Sequence, residues 1–238
     1  MDATIQSKRH RLIGLVGLEG AGKTTAAREF MLRTLGYIEL SFASPLKSAA
    51  SAVFGWSREL LEGTTPASRK WREEVDDFWS KELGRPGITP RQGLELLGTE
   101  AVRQRVGESV WVARLNKEAI EWLEKDVCHG VIISDTRFVN EATRIKELGG
   151  IIVRIKKGED PAWLRRLEAG EDPKDIGFVP HVSKWEFIRI TPDYVLHNDG
   201  TPEELGRKLR EIRDSEAARA TEEIERNEKL ARAEETLS

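Results

Sequence analysis

A chain of 238 residues is long enough to bury a substantial core within one domain of ordinary to large size. A third of it is charged, yet 38 Lys and Arg so nearly balance 41 Asp and Glu that the net charge is −3, which gives no electrostatic case for a nucleic-acid or membrane partner. The single cysteine, Cys128, excludes an intrachain disulfide, the four histidines lack metal-ligand spacing, and no apolar run approaches the roughly 20 residues needed to span a bilayer, so a cytoplasmic α/β enzyme is expected.

The first eleven residues are polar and carry no apolar h-region, so no signal peptide is expected. Residues 11 to 18 then read as a strand apolar on both faces, as in a parallel sheet. It runs into Gly17-x-x-x-x-Gly22-Lys23-Thr24, and a helix is predicted from Lys23 to about Leu35, closing at Gly36. A second strand is predicted over Tyr37 to Phe42, followed by Ala43-Ser44-Pro45-Leu46-Lys47 and a short Ala-rich helix. From Gly55 to Asp126 only helices are expected. One starts at Thr65-Pro66, with Trp71, Val75, Phe78, Trp79 and Leu83 on a single face. Another opens with the capping box Thr89-Pro90-Arg91-Gln92 and carries Leu94, Leu97 and Ala101. Ser109 can cap a third, with Trp111, Leu115, Ala119 and Trp122 towards the core, and core packing is the expected place of most of the tryptophans.

Val131 to Ser134 reads as the next strand, ending at Asp135-Thr136-Arg137. A helix with Phe138, Ala142, Ile145 and Leu148 on one side follows and closes at Gly149-Gly150. Ile151 to Ile155 and Asp193 to His197 are the fourth and fifth strands, with a mixed segment and the helical piece Trp163–Leu167 between them. Asn198-Asp199-Gly200-Thr201 turns into a last helix whose apolar spacing fades after Ile212. Beyond it, residues 214–238 show no heptad and read as a solvated helical extension or a disordered tail. Strands interleaved with helices, with the glycine-rich loop after the first strand, give a doubly wound α/β parallel sheet.

The loop carries the clearest chemistry. Glycines at 17, 20 and 22 let successive backbone N–H groups converge on phosphate oxygens, and the positive end of the following helix adds to that anion site. Glu19, Gly20, Ala21, Gly22, Lys23, Thr24 and Thr25 form the expected ATP-binding stretch. Lys23 would reach the β- and γ-phosphates, and the Thr24 hydroxyl would hold Mg²⁺. Asp135, at a strand end, is the second expected metal contact, with helix capping as its other use. Arg137 suits a phosphate oxyanion because its planar fork can hold two oxygens. Spacing reaches a Mg²⁺-dependent nucleoside triphosphate enzyme with a helical insertion at 56–126. It does not separate a kinase from an ATPase, while the missing Asn-Lys-x-Asp tetrapeptide speaks against a GTPase.

The motif Leu94-Glu95-Leu96-Leu97-Gly98-Thr99-Glu100 followed by Trp111-Val112, the stretch Val131 to Arg137 with Glu141 and Gly149-Gly150, His181-Val182-Ser183, and Asp193 to Leu205 occur in that order. With the loop and Ser44-Pro45-Leu46-Lys47, this set resembles the deoxynucleoside monophosphate kinases of tailed bacteriophages over residues 11 to about 212. The resemblance implies a P-loop fold with strand order 2-3-1-4-5, and transfer of the γ-phosphoryl group of ATP to the 5′-phosphate of a deoxynucleoside monophosphate. It implies that Lys47, Arg91 and Arg137 clamp the acceptor phosphate, and that Thr99, Trp111, Thr136 and Glu141 line the nucleoside pocket. It also implies that Asn198, Asp199 and Gly200 approach the ATP base, and that Arg165 or Arg166 sits in a lid-like segment at 157–186. The kinase domain would then be residues 1–213 and its partners small molecules, ATP and a dNMP, with a homodimer left open.

The chain departs from the family at Lys184, where a glutamate commonly follows the His-x-Ser; here Glu186 comes two residues later. The insertion is also shorter than in the best-known members, so the base preference is not transferable. Two other functions fit the loop: a kinase of another small acceptor, such as dephospho-coenzyme A or a modified base, and a non-catalytic ATP-binding assembly module.

Overall fold

The structure, a computed structural model, describes residues 12–125, 128–177 and 180–236. The polar first eleven residues and the signal-peptide expectation drawn from them lie outside the described residues, as do Asp126, Phe178 and Val179 of the expected insertion and lid-like segment, and the last two residues. Contacts divide the chain into two compact units, one built from residues up to Leu40 and from Ala119 onward, the other from Ser41–Glu118.

In the first unit, five described strands form one all-parallel sheet: β1 (Leu12–Val16), β2 (Tyr37–Leu40), β3 (Gly130–Ile133), β4 (Ile151–Lys156) and β5 (Tyr194–His197), in the order β2-β3-β1-β4-β5. β1 is buried along its whole length because it lies between β3 and β4, with Gly14 opposite Ile133 on one side and Ile152 on the other. That central place explains its unbroken apolar run. Helices α1 (Lys23–Met31) and α11 (Pro202–Thr236) cover one face, where Ile13, Leu15, Ala26, Ala27, Phe30, Val153, Leu205 and Leu209 share a core. The other face receives α8 (Val139–Glu147) through Ala142 and Ile145.

The fourth and fifth strands are joined by one carboxylate as well as by their ladder. Asp193 accepts from the Ile152 amide (2.7 Å) and from the Lys146 ammonium (2.9 Å), and its own amide donates to the Ile152 carbonyl (2.8 Å). It thereby supplies ladder partners one residue before β5 begins.

One helix and one strand end earlier than the sequence predicts. α1 stops at Met31, four residues short, because Leu32 and Leu35 are 67% and 89% exposed and meet nothing to bury them. β2 likewise stops at Leu40 rather than Phe42. The last helix instead runs further than its apolar spacing suggests, to Thr236. Its contact with the sheet unit continues past Ile212 in polar form: Glu216 is buried and accepts from the Tyr194 hydroxyl and from Arg219 (2.8 Å). The Glu216 hydrogen bond and then burial push the Tyr194 phenol up. Glu216 is thus a packed position in the extension, whereas residues 217–219 and 221–227 are exposed along the helix.

The second unit consists of α2 (Ala43–Phe54), α3 (Arg58–Glu62), α4 (Pro66–Trp71), α5 (Asp77–Glu82), α6 (Pro90–Glu95), a π-helical segment (Leu96–Arg103) and the first part of α7 (Val110–Glu124). Its core is aromatic. Trp56 stacks on Phe54 at 4.2 Å, Trp79 meets Phe54 edge-on at 5.2 Å, and Trp71, Leu94 and Leu97 pack around Leu61. The helix predicted from Thr65 through Leu83 is broken at 72–76. Asp76 caps α5 by accepting from the Trp79 amide (2.9 Å), and its second oxygen accepts from the Trp56 indole (2.8 Å). The break turns Val75, Phe78 and Leu83 out to solvent while Trp71 and Trp79 stay in the core. Trp122 also departs from expectation, being 39% exposed. The Thr89 capping box is present, with Thr89 accepting from the Gln92 amide and Gln92 from the Thr89 amide.

Replacing Asp193 with Ala leaves the Ile152 amide and the Lys146 ammonium without their acceptor. The expected loss is about 1.5–3 kcal/mol of unfolding free energy, measured by urea denaturation, with Asp193→Asn losing less because its amide oxygen can still accept.

Candidate active site

The loop at the carboxyl end of β1 is shaped by two contacts that leave no room for a side chain. Gly17 has φ +138°, and a Cβ there would stand 2.3 Å from the carbonyl oxygen of Ile155 in β4. Gly22, at φ +105°, would bring a Cβ within 2.5 Å of the Asn198 amide nitrogen. The loop is thus pressed against the ends of β4 and β5, and both positions need glycine for conformation and for space. Asn198 adds a bond: its Nδ2 donates to the Ala21 carbonyl (2.9 Å), while its backbone amide donates to Lys156 (2.7 Å). Asn198 was expected near the ATP base through its backbone, and its side chain pins the loop. Asp199 pairs with Lys208 (3.0 Å), and Gly200 leads into a cap in which Thr201 and Glu204 bond reciprocally.

Lys23 opens α1 and folds back over the loop, donating to the carbonyls of Gly17 (2.7 Å) and Leu18 (2.8 Å). Burial, and next the nearby Arg137 charge, push its ammonium down to about 8, while Glu19 and Asp135 act to raise it. Lys23 and Glu19 of the loop and Asp135 and Arg137 of the turn after β3 are therefore brought into one electrostatic neighbourhood, from two places far apart in sequence. Gly20 is exposed, Ala21 buried, and Thr24 exposed at the first turn of α1 with Thr25 half-buried behind it.

The stretch after β3 is fixed by the carboxylate of Glu141. Glu141 is 1% exposed and accepts from the amides of Arg137 (2.8 Å) and Phe138 (3.1 Å), the donors that Asp135 was expected to cap. Glu186 accepts from the next amide, Val139 (3.4 Å). The glutamate displaced by two positions after His181-x-Ser183 therefore has a task at the start of α8, consistent with a helix N-terminus attracting acids. Glu141, expected to line a nucleoside pocket, is buried here and fixes the turn. Thr136 is also withdrawn: it is 1% exposed, its hydroxyl sits 3.1 Å from where a Cβ of Gly14 would stand, and Ser134 beside it bonds Glu39. Asp135 is half-buried and Arg137 exposed.

Arg165 and Arg166, expected in the lid, hold acids of their own segment. Arg165 donates to the Asp160 carbonyl (3.0 Å) and Arg166 to Glu171 (2.8 Å). A cavity of about 140 Å³ beside the loop is lined instead by Arg154, Lys156, Lys157 and Asp160, together with Leu18–Ala21. Sequence reasoning passed over these cations because they end a strand without a recognisable motif.

In the helical unit the expected acceptor contacts are each engaged. Lys47 pairs with Glu62 (2.6 Å), and Arg91 pairs with Glu73. Thr99 is half-buried on the π-helical segment, a backbone form concentrated at functional sites. Trp111 is 8% exposed, and its indole N–H is satisfied by the Gly98 carbonyl (3.0 Å) of that segment. In this structure its ring is largely packed.

Among the described residues, no group of three or more His, Cys, Asp or Glu is placed to hold a metal ion. The oxygens of Thr24 and Asp135 suit a Mg²⁺ that keeps several waters and takes its remaining ligands from phosphates, which is the usual manner of that ion. The donor set fits. No described helix is long and apolar enough to cross a membrane.

No family model matches the chain. It is similar to a protein of Acanthamoeba polyphaga mimivirus assigned as a deoxynucleotide monophosphate kinase, at 37% identity over 153 residues, covering 61% of this chain and 74% of that one. It is also similar to the deoxynucleoside-5′-monophosphate kinase of Escherichia phage T5, at 25% identity, with 74% and 91% covered. Among solved structures, TT1252 from Thermus thermophilus aligns with a TM-score of 0.42 at 22% identity over 86% of this chain and 96% of that one. The APS kinase CysC of Mycobacterium tuberculosis, in complex with AMPPNP and APS, aligns with 0.38 at 16% identity over 86% and 97%.

A Lys23 pKa of about 8 makes polyphosphate binding a protonation event. Bound phosphates stabilise the charged ammonium and raise its pKa, so at pH 8 binding of a non-hydrolysable ATP analogue takes up about half a proton, fading to near zero by about pH 6. Calorimetric titrations at pH 8 in Tris and in HEPES should differ in heat, and the difference should change in Lys23→Ala by the half proton that Lys23 takes up.

Proposed function

The chain belongs to the deoxynucleoside monophosphate kinase family, and we propose that it transfers the γ-phosphoryl group of ATP to the 5′-phosphate of a deoxynucleoside monophosphate, giving the diphosphate and ADP. The observation that carries the donor side is the convergence of Lys23, Asp135 and Arg137 at the loop. The acceptor class is drawn from the names of the two relatives, both nucleoside monophosphate kinases. Such a product would supply DNA precursors, and because both substrates are small soluble anions we place the reaction in the cytoplasm of the host cell.

An oxygen of the acceptor's 5′-phosphate attacks the γ-phosphorus, the bond from that phosphorus to the β,γ-bridging oxygen breaks, and ADP leaves with the electron pair. Little covalent work falls to the protein, whose part is positioning and charge. The loop amides hold the donor phosphates. Lys23 exchanges its contacts to the Gly17 and Leu18 carbonyls for the β- and γ-phosphates, following charge as it passes to the leaving oxygen. Arg137 offers a second, exposed cation at the same end of the sheet. Thr24 and Asp135 would hold Mg²⁺, which would offset the negative charge of the donor phosphates. Lys47 and Arg91 are assigned to the acceptor phosphate.

The test is ADP release, by a coupled assay, with dAMP, dCMP, dGMP, dTMP and dephospho-coenzyme A as acceptors. At least one dNMP should raise ATP turnover well above the acceptor-free rate, and Lys23→Ala should lower kcat by about a hundredfold or more. Turnover with dephospho-coenzyme A alone, or none with any acceptor, would refute the proposal.

A further inference from the structure

Helices α2 and α3 bring a compact set of polar groups together within the helical unit. Ser44, Lys47 and Ser48 share a face of α2 by their three- and four-residue spacing, and Arg58 and Glu62 share a face of α3. The turn between them is closed by Ser57, which caps α3 by accepting from the Leu60 amide (3.3 Å). One carboxylate sits at the centre. Glu62 Oε2 accepts from the Lys47 ammonium (2.6 Å), and Glu62 Oε1 accepts from Arg58 Nη1. The rest of the guanidinium is held in place: Nε donates to the Ser48 hydroxyl (3.2 Å), and Nη2 to the Ser44 hydroxyl (3.2 Å) and carbonyl (3.3 Å).

An Arg and a Glu four residues apart on a helix are commonly a solvent-screened pair of little consequence. This cluster differs in three respects. The two oxygens of one carboxylate are taken by two cations from two different helices. Lys47 is only 15% exposed, so its charge is partly desolvated. And two cations against one carboxylate leave the trio with a net charge of +1. Burial acts to raise the Glu62 carboxyl, but hydrogen bonds and charge from Lys47 and Arg58 outweigh it and hold the group below the usual carboxylate range. An ammonium and a guanidinium spanning two oxygens, with surplus positive charge, is a geometry that a phosphate monoester satisfies better than a carboxylate, because it brings more oxygens and up to two charges.

We propose that Glu62 is an internal stand-in for the acceptor's phosphate: its carboxylate occupies the Lys47–Arg58 site in the empty enzyme, and the substrate binds by displacing it. Arg58 is then a second phosphate-binding cation of the acceptor site, which neither the motif spacing nor the relatives' names assign. This rests on the nucleotide-kinase function proposed above and deepens it. The free enzyme keeps its cations ordered and partly neutralised, and the acceptor's affinity is set by the difference between phosphate and carboxylate at the same donors.

Steady-state kinetics of the full chain, with whichever of the four dNMPs it turns over, tests this. Glu62→Gln removes the competing charge and should lower the KM for the dNMP by about three- to fivefold, with KM for ATP and kcat within about twofold of the parent. Glu62→Asp, which keeps the charge but draws it back by one methylene, should lower the KM less and guards against a folding defect in the first variant. Arg58→Met should raise the dNMP KM by about tenfold or more without altering KM for ATP. Unchanged or raised dNMP KM in both Glu62 variants, with thermal melting as in the parent, would overturn the displacement idea while leaving the kinase activity standing. Absence of turnover with every dNMP would overturn both together.

Discussion

The phosphate loop keeps its form because two neighbouring strand ends are packed against it. A residue with any side chain at 17 would collide with the Ile155 carbonyl, and one at 22 would collide with Asn198, which itself grips the Ala21 carbonyl. The loop's curvature is thus imposed by β4 and by the turn after β5 as much as by its own glycines. The parallel order β2-β3-β1-β4-β5 makes this possible, since it sets β1 directly between β3 and β4. The same order brings the turn after β3, with Asp135 and Arg137, into the electrostatic reach of Lys23. Where a parallel sheet reverses its order, the carboxyl ends of its strands leave a crevice for a ligand.

Charge in the unliganded protein follows a consistent pattern. Lys23 is held by two backbone carbonyls, Lys47 and Arg58 by Glu62, and Arg91 by Glu73. A cation taken from water without a partner costs several kcal/mol, so a protein that stores cations for anionic substrates must provide interim acceptors. Binding then becomes an exchange of acceptors. Neutral carbonyls yield readily to phosphate oxygens, whereas a carboxylate competes in kind, which places the tunable part of recognition at the acidic partners.

Much of this was legible in the sequence where the determinants are local. The loop, its flanking strand and helix, the capping box at Thr89 and the five strands all follow from spacings of a few residues. The sheet order came from resemblance to a known family, because nothing in the strand sequences distinguishes β3 from β4 as a neighbour of β2. The break at 72–76 was hidden because the apolar spacing of Trp71, Val75, Phe78, Trp79 and Leu83 matches a helix, while the Asp76 cap that interrupts it depends on Trp56, 20 residues away. The contacts of Glu141 and Thr136 were not legible: one is buried and fixes the turn after β3, and the hydroxyl of the other lies close to Gly14 of β1, neither of which any local spacing announces. The counter-ions were the least legible. Glu62 stands 15 residues from Lys47 and Glu73 stands 18 from Arg91, and no local rule pairs charges at such distances.

The central claim is that this site passes a phosphoryl group to another phosphate rather than to water. Following ³¹P resonances during turnover of ATP, Mg²⁺ and an accepted dNMP tests it most directly. The γ-phosphorus of ATP should reappear as the β-phosphorus of the deoxynucleoside diphosphate, in step with ADP. Its appearance as inorganic phosphate, with the dNMP resonance unchanged, would contradict the account.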